Sequence, residues 1–232
     1  DLHRRRHSFP TRRSSDLLSK ETQQKKDFHH LQEVINQGMP VVLFDRISND
    51  ILCDKVIIDD QLAAYEATNF LISKGLKKIA LLTTVDYVSV GKLRTDGYLN
   101  VLHDHGIEVD ENLIIRIEDT EHCDEKINEL LENKSVDAIL AVNELFAVTA
   151  IKLAMAKGIK IPEDLSVVAF TDGIISKYST PTITTISQNG IKMGRKAAEM
   201  LIKRLELEDE EDEHYKTEII ETNLIIREST KS

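Results

Sequence analysis

Short unbroken runs of β-branched and aliphatic residues alternate with helical segments along most of this 232-residue sequence. Unbroken apolar runs are typical of strands that are covered on both faces of a parallel sheet. Helical segments of a dozen or more residues separate most of the runs, as a parallel crossover requires. The sequence therefore predicts an α/β fold with doubly wound parallel sheets. The strand-forming runs are VVLFD (41–45), KVII (55–58), KIALLT (78–83), LIIRI (113–117), DAILAV (137–142) and LSVVAF (165–170).

Helical spacing of apolar residues, often ended by a glycine, predicts the segments between these strands. After the last run, the residues at 171–181 predict a loop, and TITTIS at 182–187 predicts a strand. TEIIETNLIIRE at 217–228 predicts one final strand. The predicted helices cover 21–37, 61–74, 91–105, 124–133, 144–157 and 189–205.

The charge balance argues against nucleic-acid binding by these residues themselves. The formal net charge is −10, and the basic residues cluster only at the N-terminus, where residues 1–17 carry +3 and the remainder carries −13. Phosphate contacts need a concentrated Lys and Arg surface, which this acidic body does not offer. Two cysteines without a secretory signal predict reduced thiols in a cytoplasmic protein, and no apolar run is long enough to span a bilayer.

The N-terminal tail is set apart from the rest of the sequence. HSFPTRRSSDL at 7–17 looks like one reading frame of a common sequencing-library adapter. The twin arginines at 12–13 are followed by polar residues, where an export signal needs an apolar stretch. We therefore expect residues 1–17 to be non-native and the native chain to begin near Leu18.

Four polar side chains lie at or just beyond the carboxyl ends of predicted strands. Asp45 ends VVLFD, Asn143 ends DAILAV, Asp172 follows LSVVAF after Thr171, and Arg94 lies in the helix after KIALLT. Ligands bind at this edge of open parallel sheets. Carboxylate and amide oxygens accept hydrogen bonds from hydroxyl groups, and guanidinium donates them, so this set predicts recognition of a sugar without chemistry on it.

Each of these residues also has a purely structural alternative. Asp45 can cap a turn, Asn143 can be the N-cap of the next helix, and Asp172 can begin an Asx-turn with Gly173. Their joint placement at strand ends favours the binding role.

Signatures of catalysis are missing from the sequence. It contains no Gly-rich phosphate loop of the GxxxxGK[ST] or GxGxxG kind and no GxSxG elbow. His103 and His105 are two apart near a helix end and do not share a face, so they predict no metal site. We expect no enzyme, no cofactor and no metal.

Several sequence blocks follow one another in a specific order and spacing. They are PVVLFDR (40–46), KVIIDDQLAAYEATNFLISKGLKKIALL (55–82), KLRTDGYLNVL (92–102), DAILAVNELFAVTAIKLAMAKGIKIPEDLSVVAFTDG (137–173) and TPTITTISQNGIKMGRKAAEMLI (180–202). Together these blocks resemble the effector-binding domain of lactose-repressor-type (LacI/GalR) transcriptional regulators. The resemblance covers residues 20–229.

The resemblance implies a periplasmic-binding-protein-like fold of two lobes joined by three crossing segments, with the effector in the cleft between them. It implies a partial first lobe of residues 18–57 plus 188–216 and a second lobe of 58–187 plus 217–232.

The resemblance also implies ligand contacts. They involve Asp45, Arg94 in LRxxGY, Asn143 in VNE, and Gln188 after TTIS. The sequence departs from the family pattern where Thr171 takes the place of an acid or Asn and Asp172 comes one position later, which leaves the sugar preference open. Phe44, Tyr87 and Phe146 are candidate stacking walls for a sugar ring, with core packing as the alternative for each.

On this resemblance we expect the effector domain of a cytoplasmic regulator of carbohydrate genes that binds a sugar or sugar phosphate. Such regulators form homodimers and bind operator DNA through a helix-turn-helix segment, which is absent from this sequence. Two alternatives stay open. A secreted sugar-binding protein of a transporter predicts an export signal and more aromatic residues, and an enzyme on a doubly wound scaffold predicts catalytic or phosphate-binding groups.

Overall fold

Two sheets of unequal size carry the strands of this computed structural model, which describes residues 20–85, 89–118, 123–133, 135–206 and 214–231. The N-terminal tail at 1–17 and Tyr87 lie outside the described residues. The strands are β1 (Val42–Phe44), β2 (Asp54–Ile57), β3 (Ile79–Thr84), β4 (Ile114–Ile117), β5 (Ala138–Ala141), β6 (Ser166–Phe170), β7 (Thr184–Ser187), β8 (Thr217–Ile219) and β9 (Asn223–Ile225). The α-helices are α1 (Lys20–Lys25), α2 (His29–Asn36), α3 (Asp60–Ser73), α4 (Ser89–Asp104), α5 (Cys123–Asn133), α6 (Glu144–Ala156), α7 (Ile174–Tyr178) and α8 (Gly190–Glu206).

The first sheet has three parallel strands in the order β1-β2-β8. Helix α8 packs against β1 and β2. The apolar residues of α2 and its N-cap form a small cluster with residues of β1 and the loop that follows it: Phe28, Leu31 and Ile35 contact Leu43, Ile51 and Cys53. We call this sheet with α1, α2 and α8 the first lobe.

The second sheet has six strands in the order β4-β3-β5-β6-β7-β9. The five strands from β4 to β7 are parallel, and β9 is antiparallel to β7. Strands β5 and β6 are buried along their whole length, as their unbroken apolar sequences predict. The helix pairs α3 with α4 and α5 with α6 pack against this sheet. This sheet with α3–α7 is the second lobe, and the predicted α/β class is confirmed.

Three segments connect the lobes, and one of them corrects the predicted end of the chain. The chain crosses between β2 and α3, between β7 and α8, and between β8 and β9. The prediction of one strand over 217–228 is wrong, because β8 pairs with β2 in the first sheet and only β9 belongs to the second. Backbone groups at the edge of β2 form hydrogen bonds with the first half of this segment. The Ile220 N–H, for example, donates to the Ile57 carbonyl at 2.7 Å.

Two further segments differ from their predictions. The helix predicted over 21–37 is divided into α1 and α2 at residues 26–28, where Lys26 adopts a left-handed conformation with φ of 50°. The loop predicted over 171–181 contains the short helix α7. None of the helices in the described part of the chain combines the length and apolarity needed to cross a bilayer.

Helices α3 and α4 approach each other at Gly97, and this contact supports a stability prediction. A Cβ at Gly97 would lie 2.1 Å from the backbone oxygen of Gln61 and 3.0 Å from the Cβ of Ala64. Because a backbone atom cannot move aside cheaply, we expect Gly97→Ala to lower the free energy of unfolding by about 2 kcal/mol in urea denaturation.

Gly194 supplies the matched control for this substitution. It also lies inside a helix, but a Cβ there would meet nothing within 4 Å. Gly194→Ala should therefore leave stability unchanged or raise it by about 0.5 kcal/mol, since alanine is the better helix former. Equal effects of the two substitutions would contradict the close helix approach.

Candidate functional site

The guanidinium of Arg94 is the centre of the contacts at the carboxyl edge of the second sheet. Its Nε and one terminal nitrogen lie 2.7 Å from Oδ1 of Asp60, and its other terminal nitrogen donates to the Val142 carbonyl at 2.7 Å. Its Cζ lies 3.9 Å from the centre of the Phe170 ring. The Arg94 side chain is only 5% exposed, so these contacts replace water around its charge.

Asp60 is the counter-ion that the sequence analysis did not identify. Asp59 is the N-cap of α3, where its Oδ1 accepts from the Leu62 N–H at 2.9 Å, and this leaves the Asp60 side chain to Arg94. Burial raises the pKa of the Asp60 carboxyl, the Arg94 charge offsets part of the rise, and the negative charge of Asp45 adds to it. The signal was present in the sequence, because Asp60 also follows a predicted strand, KVII at 55–58.

Asp45 and Gln188 connect the first lobe to a crossing segment. Gln188 Nε2 donates to Oδ1 of Asp45 at 2.9 Å, across 143 positions of the sequence. Asp45 follows β1 in a left-handed conformation with φ of 60°, and Gln188 follows β7 directly. Asp45 and Gln188, both expected to contact a ligand, are therefore in contact with each other. The negative charge of Asp45 also raises the pKa of Asp60, which lies beside Arg94.

Asn143 has the structural role that was the alternative in the sequence analysis. Its Oδ1 accepts from the Phe146 N–H at 2.8 Å, which makes Asn143 the N-cap of α6. Its Nδ2 has no hydrogen-bond partner in the part of the chain that the structure describes. Because the preceding residue, Val142, accepts from Arg94, Asn143 also lies at the Arg94 cluster, and capping leaves one donor for a ligand.

The contacts of Asp172 argue against its predicted role in ligand binding. Its Oδ1 accepts from Arg227 and from the Thr185 hydroxyl, and its Oδ2 lies 3.2 Å from Lys177 Nζ. The carboxylate thus ties the end of β6 to the segment after β9, and Arg227 was not singled out in the sequence. Thr171 directly follows β6, and its carbonyl accepts from the Ser176 hydroxyl at 3.3 Å.

The three candidate stacking residues have different outcomes. Phe146 is completely buried in the main core, so its ring has no face for a ligand and the stacking prediction is wrong for it. Phe44 is half-buried and packs against the same core. Tyr87 lies outside the described residues.

Glu144 fixes the loop between β6 and α7. Its Oε1 accepts from the backbone N–H groups of Gly173 at 2.8 Å and Ser176 at 3.0 Å. A Cβ at Gly173 would lie 2.2 Å from the Glu144 carboxylate, so a larger residue there would have to displace the Glu144 side chain. The start of α6, which carries Asn143, is therefore joined to the residues that follow β6.

Two buried polar atoms near these strand ends lack a hydrogen-bond partner among the described residues. They are Nε of Arg46, which follows Asp45, and Oγ1 of Thr84, the last residue of β3. Buried polar atoms are nearly always paired, so the burial of these two atoms is not compensated by a hydrogen bond within the described residues.

The ion pair of Asp172 leads to a prediction about pH. Burial by itself raises the pKa of this carboxyl, but the hydrogen bonds from Arg227 and Lys177 outweigh that effect and hold the pKa below its ordinary value. The folded state therefore keeps the charge at a lower pH than the unfolded chain does. The resulting stabilisation is complete above about pH 5 and is lost as the pH falls through the lowered pKa.

We expect Asp172→Asn to lower the free energy of unfolding at pH 7 by about 2 kcal/mol, because it leaves Arg227 without its carboxylate. The difference from the wild type should shrink as urea denaturation is repeated at falling pH. Glu199→Gln, at an exposed carboxylate of α8, serves as the control and should change neither quantity. A difference that does not depend on pH would contradict the assignment.

Comparison with known proteins identifies the family of this fold. A model of the periplasmic binding protein-like domain matches residues 68–230. The transcriptional regulator MalR of Clostridium butyricum is 36% identical over 74% of this chain and 51% of its own length. The ribose operon repressor of Haemophilus influenzae is 30% identical over 84% of this chain and 58% of its own length.

A solved structure shares the arrangement of both lobes. The transcriptional regulator CelR in complex with cellobiose has a TM-score of 0.77 and 28% identity, covering 86% of this chain and 61% of its own. The chain spans about half the length of the curated relatives it matches. It belongs to the periplasmic-binding-protein-like domain family, among the effector domains of LacI/GalR-type transcriptional regulators.

Proposed function

We propose that this chain is the ligand-sensing domain of a DNA-binding regulator of carbohydrate genes, and that its effector is a sugar or sugar phosphate. The observation that carries the proposal is the set of contacts around Arg94. These contacts bring together Asp60, the end of β5 before Asn143 and the end of β6 before Thr171 at one edge of the second sheet. Asp45 and Gln188 meet at the neighbouring crossing segment.

The chemistry of this edge suits a polyhydroxylated ligand. Carboxylate oxygens of Asp45 accept from hydroxyl groups, and Nδ2 of Asn143 donates to them. No arrangement for bond making or breaking is required of any of these groups. Sugar recognition is also supported by the names of relatives, which include a ribose operon repressor and a regulator solved with cellobiose.

The mechanism that we propose is a change in lobe closure. Ligand groups that bind Asp45 on the first lobe and Asn143 on the second favour one angle between the lobes. In a homodimer of the whole regulator, this angle sets the spacing of two helix-turn-helix segments on operator DNA, which couples effector binding to DNA affinity. Such a regulator acts in the cytoplasm, where its operator is.

Asn143→Asp provides a sharp test of the binding role. Aspartate caps a helix as well as asparagine does, so the start of α6 is preserved, while the free donor Nδ2 is replaced by a charged acceptor. In calorimetric titrations against neutral monosaccharides, disaccharides and sugar phosphates, we expect the wild type to bind a member of the panel. Asn143→Asp should weaken that binding at least about tenfold, the effect of losing one good hydrogen bond.

Asn100→Asp is the control, because Asn100 is exposed on α4 and its substitution adds the same charge away from the cluster. It should bind like the wild type. The absence of binding across the whole panel, or equal affinity of Asn143→Asp and wild type, would contradict the proposal. Melting curves of both variants show whether the fold is retained.

A further inference from the structure

Gln23 makes a contact between the lobes that is separate from the Arg94 cluster. Its Oε1 accepts from the Ser89 N–H at 3.0 Å and from the Ser89 hydroxyl at 3.2 Å, across 66 positions of the sequence. Gln23 lies on α1 of the first lobe, and Ser89 is the first residue of α4 in the second. Gln23 is only 8% exposed, which is unusual for an amide side chain on a helix of six residues.

The acceptor is placed where α4 needs one. The first N–H groups of a helix have no partner within the helix, and an oxygen that accepts from them stabilises its N-terminus. Here the oxygen comes from the other lobe. Arg94 lies on the same helix, five positions after Ser89, so the residue that organises the binding edge is on the helix that Gln23 caps.

The connection between α1 and α2 separates the helix that carries Gln23 from the helix that packs on the first sheet. Lys26 adopts a left-handed conformation that residues other than glycine rarely take, and the two helices are separated there. Helix α2 is fixed to the first sheet through Phe28, Leu31 and Ile35. Helix α1 extends beyond this anchor to reach Ser89.

We propose that Gln23 is a latch between the lobes, in which α1 closes over the start of α4 and holds the lobes together with α4 in its capped form. Loss of the Gln23 acceptor removes the two hydrogen bonds that the first residue of α4 donates to α1.

Spin labels on α1 and α4 test the latch directly. Gln24→Cys and Asn100→Cys put labels at exposed positions on the two helices, while Cys53 and Cys123 are buried. Double electron–electron resonance measures the distance between the two labels. In the labelled protein without further substitution, this distance should form one narrow distribution. With Gln23→Leu added, the distribution should broaden and move to longer distances, and amide exchange at Ser89 should be about tenfold faster.

Gln32→Leu is the matched control, since the Gln32 amide donates only within its own helix, to Asn36 at 2.9 Å. It should leave distances and exchange unchanged. Gln23→Glu keeps an acceptor oxygen and adds a negative charge at a helix N-terminus, so it should retain the short distance.

An unchanged distance distribution in Gln23→Leu, or an equal shift in Gln32→Leu, would overturn the latch. Loss of the short distance in Gln23→Glu would overturn the role of the acceptor oxygen. These measurements contain no sugar, so their outcome is independent of whether the proposed effector binds.

Discussion

The buried charge of Arg94 is the constraint on which the binding edge depends. A guanidinium removed from water needs compensating partners, and this one has the Asp60 carboxylate, the Val142 carbonyl and the face of Phe170. These partners belong to the start of α3, the end of β5 and the end of β6. Removing one member of a buried pair costs about 3–5 kcal/mol. One side chain therefore fixes α3, β5 and β6 relative to one another. The residues next to its partners are positioned as a consequence.

Local sequence predicted the strands because a buried parallel strand leaves an unbroken apolar run, as in β5 and β6. It did not predict where such a run changes sheet. The segment 217–228 is β-prone throughout, and its division into β8 and β9 depends on pairing with Ile57 on one side and Thr185 on the other. The break between α1 and α2 was missed for a different reason: residues 20–27, KETQQKKD, contain no apolar residue whose spacing could mark a helix boundary.

The sequence could predict only those features of the candidate site that follow from the topology of the sheet. From the rule that ligands bind at the carboxyl ends of parallel strands, the sequence predicted Asp45, Arg94 and Asn143 as ligand contacts. The rule cannot tell which carboxylate the protein itself neutralises. Asp172 and Asp60 both follow strands, yet one is engaged by Arg227 55 positions later and the other by Arg94 34 positions later. Sequence distance of this kind hides an ion pair from any local pattern.

The lobes share apolar packing, because Val56, Met193 and Ala197 of the first lobe belong to the same hydrophobic cluster as the core of the second. Gln188 with Asp45 and Gln23 with Ser89 add hydrogen bonds, each with a net contribution of about 1 kcal/mol. The Arg94 cluster is rigid by contrast, since its charge is buried. A difference of about 1.4 kcal/mol changes a two-state population tenfold, so a ligand that adds a few hydrogen bonds across the lobes has enough energy to reset their closure. The ion pair of Arg94 fixes the proposed binding edge, whereas the hydrogen bonds between the lobes are of a size that a ligand can outweigh, as a ligand-operated switch requires.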